Sequence, residues 1–325
     1  MSKTQMQTYK EAYTFDYPAA IEMAEAQQKV FWANEVEVAK DIQDMRVNMT
    51  NAEYHGVVTT LKLFTLYELK AGNEYWNGRF KRMFPRHDIR QMASTFAYTE
   101  LGIHAPFYND INKALHLDND EFYTDYVNDP ILKARMEAID GYISDPDDLV
   151  SLAAFSMVEG AVLYSSFAFL KHFQTRGKNK LMTVVRGINY SVRDENLHAD
   201  GGAWAFKQLL NEKFEAGHTV DSDLDYKVIN IAVELYEHEC QIIDMIFAEG
   251  EIEGVDSDDM KHFVASRINI CLGKLGLDTH FADTENSIEK WFYKDINAVK
   301  LTDFFTGVDS SYNRDWREMG FTWKN

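Results

Sequence analysis

Proline and glycine are scarce in this chain, at 5 and 17 of 325 residues. With so few helix breakers and no Ser/Gly-rich linker, a string of small domains is excluded in favour of one large helical unit. Cysteine is rarer still. Cys240 and Cys271 cannot build a disulfide framework, so a reducing, cytoplasmic compartment is expected. Basic residues are in deficit: 33 Lys and Arg against 52 Asp and Glu give a formal charge of −19. That balance, with no basic cluster, argues against nucleic acid or an anionic membrane as partner. The opening MSKTQMQTYKEAYTFDY lacks an apolar core, so no secretory signal is expected. Strand-like alternation is nearly absent as well.

What the chain has is long apolar helical pattern, within 46% hydrophobic residues. Four long helices are expected at about 51–82, 86–115, 146–173 and 178–211, the first capped by Thr50 or Asn51 and the third by Asp145 with Pro146 at its first position. Shorter helices are expected at 19–28, 35–43, 129–142, 225–249, 257–275 and 286–292. Leu149 to Leu170 is apolar enough to imitate a membrane span, with Glu159 its only charge. Three aspartates just before it, four serines within it and its isolation favour a buried bundle helix.

Into these four helices the chain sets carboxylates that apolar packing does not explain. Glu68 and Glu159 stand alone in apolar runs, while Glu100 with His104, and Glu195 with His198, lie one helical turn apart. Residues three or four apart share a helix face, so each pair aims at one point. The order Glu, Glu/His, Glu, Glu/His along four helices is the ligand pattern of a carboxylate-bridged two-metal site in a bundle core. Two divalent cations balance four carboxylates, which removes most of the desolvation cost of burying them. Mixed nitrogen and oxygen donors suit iron or manganese better than zinc or calcium.

Blander readings stand beside these. Glu68 (FTLYELKAG) also reads as a surface residue near a helix end, and Glu234 to His238 repeats the Glu/His spacing by chance in a charged segment read as solvated. There are 17 tyrosines, most of them expected to be packing residues. After Phe305 the helical pattern stops. The division expected is a helical domain over 1–305 and a tail over 306–325, whose Tyr312, Trp316, Met319, Phe321 and Trp323 suit docking on a partner.

These motifs resemble the small, radical-generating subunit of class I ribonucleotide reductase. Arg193-Asp194-Glu195-x-x-His198 resembles that family's fourth-helix motif, and VEGAVLYSSFAF around Glu159 is similar to its third-helix segment. Tyr108, four residues after His104, matches the radical-bearing tyrosine, and Phe31-Trp32 resembles the Phe-Trp of the electron-transfer chain. The resemblance implies an all-α, ferritin-like bundle with a four-helix dimetal core and additional helices. It implies metal ligands Glu68, Glu100, His104, Glu159, Glu195 and His198. The cofactor would be two metal ions, iron foremost, with manganese/iron or dimanganese as alternatives. Oxygen activated there would oxidise Tyr108. The oxidising equivalent would then travel through His104, Asp194 and Trp32, and by way of Tyr312 on the tail, to a large catalytic subunit that reduces ribonucleotides. The chain would work as a homodimer in the cytoplasm, the host's if phage-encoded.

Three features depart from the family pattern. The second helix carries Glu-x-x-x-His where the family has Glu-x-x-His. Pro106 cannot donate to the Gly102 carbonyl, so a π-bulge is expected to absorb the extra residue. Glu68 stands where most members have Asp, a change that accompanies manganese/iron cofactors and loss of the tyrosine, although Tyr108 is retained. The interval from His104 to Glu159 is compact, as in phage-encoded members. Another dimetal oxidase or monooxygenase is the alternative, and would need an open cavity near Leu163, Tyr164 and Phe167. Such an oxidase has no need of the terminal aromatic tail, an iron-storage protein would leave Trp32, Asp194 and His104 idle, and a purely structural bundle would leave Glu159 and Glu195 unexplained.

Overall fold

The computed structural model describes residues 3–293, so the tail 306–325, its Tyr312 and the boundary at 305 lie outside the described residues. Helix dominates, and among the described residues the only β pairing is an isolated bridge between Ile252 and Val255. Helix α1 is Pro18–Lys29. Helix α2 starts as Asn51–Leu69, continues through a π-helical run Lys70–Phe80 and ends at Lys81–Met83. Helix α3 joins His87–Thr99, a π turn Glu100–His104, and Ala105–Leu115. Helix α4 is Pro130–Ser144. Helix α5 joins Asp148–Met157, a π turn Val158–Val162, and Tyr164–Lys171. Helices α6 (Met182–Glu215), α7 (Leu224–Ile246) and α8 (Ser257–Leu275) follow, and 287–293 is helical.

Helices α2, α3, α5 and α6 form the core bundle, with α2 against α3 and α5 against α6. Helix α1 covers α3, α4 covers α5, and α7 and α8 close over α5 from another side. This is the all-α bundle with additional helices that the sequence implies. The membrane-like stretch, Asp148–Gln174, has its most apolar window 100% buried inside the protein. A core helix wrapped by neighbours accounts for its composition.

Local chemistry sets the helix starts. Thr50 caps α2 in a reciprocal capping box: its hydroxyl accepts from the Glu53 amide at 3.2 Å, and Glu53 accepts from the Thr50 amide at 2.9 Å. The start of α5 differs from expectation. Asp147, not Asp145, is its cap, accepting from the Leu149 amide at 2.9 Å, and Pro146 stays outside the helix. Helix α6 begins later than expected because Arg176, Gly177, Asn179 and Leu181 all take positive φ, which no helix tolerates. The expected helix at 35–43 is only a 3-10 turn, Val38–Asp41, followed by a π turn at Asp44–Asn48.

Glu53 also receives Lys178 at 2.7 Å and Lys180 at 2.8 Å, tying α2 to the loop before α6. Burial alone would raise its carboxyl pKa, but the two lysines and the Thr50 amide pull it from 4.5 to about 2. A carboxyl depressed in the fold stabilises fully above its ordinary pKa and loses that contribution as pH falls towards 2. With solvent screening of the partly exposed lysines allowed for, Glu53→Gln is expected to cost about 1–2 kcal/mol at neutral pH and to flatten the acid limb of the stability profile. Urea unfolding across the acid range checks both.

One expectation is overturned on α7. The segment from Glu234 to Glu239 is not uniformly solvated: Glu234 and Glu237 are exposed, but Glu239 is buried. Its Oε1 lies 2.6 Å from Nη1 of Arg135 on α4, itself fully buried, and its Oε2 accepts from Ser165 at 2.5 Å. Glu239 falls on the same face as Leu235, Ile242 and Ile246, and it is buried because Arg135 meets it there.

Candidate metal centre

All six expected ligand residues converge in the middle of the core bundle, and each is at most 6% exposed. They fall into two overlapping sets, Glu68, Glu100, His104 and Glu195, and Glu100, Glu159, Glu195 and His198. Within each set the donor atoms lie within 4.8 Å of one another. Glu100 and Glu195 belong to both. Glu100 turns Oε2 to His104 Nδ1 at 3.0 Å and Oε1 to His198 Nδ1 at 2.5 Å. Glu195 turns Oε1 to His104 Nδ1 at 3.1 Å and Oε2 to His198 Nδ1 at 3.5 Å. One oxygen for each set is the geometry of a bridging carboxylate. Glu68 and Glu159 lie at the two ends, 3.6 Å from His104 Nδ1 and 3.9 Å from His198 Nδ1.

The donor set fits two cations on an independent observation. Glu68 Oε1, Glu100 Oε1, both oxygens of Glu195 and both ring nitrogens of His198 are buried without a hydrogen-bond partner. Each orphaned polar atom of this kind costs a few kcal/mol, so the four carboxylate oxygens and His198 Nδ1, which face one another, call for a shared ligand; His198 Nε2, on the other side of the ring, does not belong to that group. Electrostatics agree. Burial and then the Glu100 charge push the Glu68 pKa well above normal, and burial and then Glu195 do the same to Glu159. Against the opposing effect of burial, Glu100 raises both imidazoles, His198 to about 9. Glu100 itself is lowered, the two histidines overcoming its burial. Without metal, protons do the work that cations would do.

Helix irregularity positions these groups. The π-bulge expected from Pro106 is present: the Ala105 amide bonds back to the Glu100 carbonyl, five residues away, so Glu100 and His104 reach one centre despite the extra residue. Two further π segments have no such sequence signal. One follows Glu68 directly, at Lys70–Phe80. The other holds Glu159, where Arg267 of α8 takes the Gly160 carbonyl through Nε at 3.1 Å and Nη2 at 2.7 Å. At Gly160 a Cβ would collide with Cys271 Sγ, so only glycine lets α8 approach this turn.

Asp194 and Trp32 lie beside this cluster. Asp194 Oδ2 accepts from Trp32 Nε1 at 2.7 Å and lies 3.3 Å from His104 Nε2. This contact assigns Nε2 as the protonated nitrogen of His104 and leaves Nδ1 facing the carboxylates, the usual way a carboxylate orients a metal-binding imidazole. Arg193 Nε touches Asp194 Oδ1 at 3.3 Å; burial raises the Asp194 pKa, but His104, Arg193 and Trp32 together bring it below its ordinary value. Tyr108 is fully buried, its ring 4.6 Å from Phe64 and 6.5 Å from His104, centroid to centroid. Burial, then the Glu68 charge, pushes its phenol well above pKa 10. Its hydroxyl makes no hydrogen bond that meets geometric limits.

One neighbour escaped the sequence reading. Trp76 donates Nε1–H to Glu159 Oε1 at 2.7 Å and packs edge-on to His198 at 6.1 Å. It lies on the π run of α2, where ordinary helical periodicity misplaces it. Leu163, Tyr164 and Phe167 are all buried. The cavity touching both Glu68 and Glu159 has only about 10 Å³ open to the centre of a water-sized sphere, far below what an organic substrate needs.

Fold and cluster together define a helical bundle built around a carboxylate/histidine site suited to two metal ions. Residues 10–287 match the family described as ribonucleotide reductase, small chain, and the chain belongs to that family. It is 24% identical to a probable ribonucleoside-diphosphate reductase small subunit of Invertebrate iridescent virus 3, over 93% of this chain and 85% of the relative. It is 26% identical to a ribonucleoside-diphosphate reductase subunit beta of Halalkalibacterium halodurans, over 72% of this chain and 68% of the relative. A putative class I ribonucleotide reductase from Bacillus halodurans shares the fold at TM-score 0.75 and 19% identity, covering 86% of this chain and 99% of that one. A dimanganese(II) protein, NrdF, of Streptococcus sanguinis superposes at TM-score 0.73 and 20% identity, over 86% and 98% of the two chains.

Proposed function

We propose that this chain is the radical-generating small subunit of a class I ribonucleoside-diphosphate reductase. The observation that carries the proposal is the double sharing of Glu100 and Glu195, each with one oxygen turned to either set, beside the buried phenol of Tyr108. Glu68, Glu100 and His104 would hold one metal, Glu159 and His198 the other, with Glu100 and Glu195 bridging. Two divalent ions, iron foremost and manganese/iron or dimanganese next, would activate oxygen and supply the oxidising power.

Each surrounding residue then has a task. Tyr108 is a neutral phenol at working pH and gives up an electron only together with its proton, which makes the oxidised form slow to discharge in an apolar pocket. Phe64 and Phe107 line that pocket and keep solvent reductants away. His104, Asp194 and Trp32 form a hydrogen-bonded line from one metal position towards exposed Phe31, whose ring stacks on Tyr98 at 6.1 Å. Asp194 holds the imidazole tautomer and offers one oxygen to both donors. We assign the segment 306–325, with Tyr312, to docking on a large catalytic subunit, and a homodimer as the working form.

The test loads the purified chain with iron or with manganese and admits air. Expected are about two metals per chain, a tyrosyl signal by electron paramagnetic resonance, and nucleotide reduction only with the large subunit. Deleting residues 311–325 should leave the signal and lose at least about a hundredfold of the partner-supported turnover. Full turnover by the truncated chain would remove the docking role.

A further inference from the structure

We infer that the cavity between α2, α4 and α5 is an entry port for a neutral diatomic gas, dioxygen, leading to the Glu68–Glu159 side of the cluster; this rests on the dimetal reading above. The cavity has a volume of about 10 Å³. That is room for one small molecule and no more. Its inner end is made by Glu68 and Glu159, the two carboxylates that belong to one set each. Glu68 is buried, and its Oε1 has no hydrogen-bond partner. Its walls are hydrocarbon: Ala71 of α2, Ile139 of α4 and Val162 of α5.

The outer end is different. Lys70, the most exposed of the charged lining residues with its side chain 23% exposed, pairs its ammonium with Asp140 at 2.7 Å and Glu74 at 2.9 Å. A cation held at the rim by two carboxylates, above apolar walls, disfavours ions and does not hinder an uncharged molecule. The π segments explain why the port lies here. Ala71 and Val162 both belong to π turns, whose wider backbone breaks the close interlock of ordinary helices. The π turn that holds Glu159 and the π run that begins just after Glu68 therefore both border this gap. Small apolar-walled space of this kind can take up noble gases and dioxygen.

Krypton-pressurised crystals of the metal-free chain test occupancy without any metal chemistry. The wild type should show krypton between Glu68 and Val162. Ala71→Leu, which fills the passage, should remove it, and Ile139→Ala, which widens it, should strengthen it. In metal(II)-loaded protein at low oxygen, Ala71→Leu should slow metal oxidation about tenfold with unchanged metal content, and Ile139→Ala should not slow it. No krypton in either the wild type or Ile139→Ala overturns the port. So does a fixed water in its place, or a wild-type oxidation rate in fully loaded Ala71→Leu. Should Ala71→Leu fail to fold, the Ile139→Ala density and rate still decide. A wild type that binds no metal sinks the dimetal reading instead, and the krypton density reports on the cavity regardless.

Discussion

Tyr108→Phe is expected to abolish the tyrosyl signal and to lower partner-supported nucleotide reduction by about a thousandfold or more, while metal content stays at two per chain. The substitution removes one oxygen atom, and that atom makes no hydrogen bond meeting geometric limits. Packing against Phe64 and Phe107 is retained, so folding should be little affected. What disappears is the only oxidisable phenol packed against the His104 ring among the described residues. Electron paramagnetic resonance and a turnover assay on the same sample check the prediction. An unchanged tyrosyl signal in the variant would refute the assignment. Undiminished turnover without any tyrosyl signal would place the stored oxidising equivalent on the metals, the outcome that Glu68 in place of Asp makes worth testing.

The buried carboxylate/histidine cluster was legible in the sequence because two of its four helices carry a carboxylate and an imidazole at helical spacing, a pattern apolar packing has no reason to make. Even the irregular spacing at Glu100 and His104 could be read, since Pro106 forbids the ordinary bond at the position where the structure has a π turn. The π segments at Lys70–Phe80 and Val158–Val162 could not. Glu68 and Glu159 are single ligands on their helices, so no second ligand betrays a change of period. Trp76 was missed for the same reason, its direction being set by a backbone that a 3.6-residue wheel does not describe. Glu239 shows the opposite failure. Local charge density argued for solvent, while its register with Leu235 and Ile242 put it on the buried face; the partner that makes burial tolerable, Arg135, is about a hundred residues away and invisible to local reading.

The bridging geometry makes the second large prediction, a contrast between substitutions of equal size. Glu100→Gln removes a carboxylate whose two oxygens face the two sets, so metal content should fall from two to near zero. Glu68→Gln touches one set only, and content should fall to about one. Plasma emission analysis after loading and gel filtration reads both numbers. Thermal unfolding supplies a second readout, because a ligand that binds only the folded chain stabilises it by about 4 kcal/mol at a thousand times its dissociation constant. Loading the wild type should therefore raise Tm by roughly 5–10 °C, Glu68→Gln by about half of that, and Glu100→Gln hardly at all. The metal-free Glu100→Gln chain should itself be less stable than the wild type, since His104 and His198 are held charged chiefly by the Glu100 carboxylate and lose it together. Two metals retained in Glu100→Gln would mean that the carboxylate does not bridge. Loss of both in Glu68→Gln would mean that the two positions fill only as a pair, with Glu195 too weak a bridge to hold one ion alone.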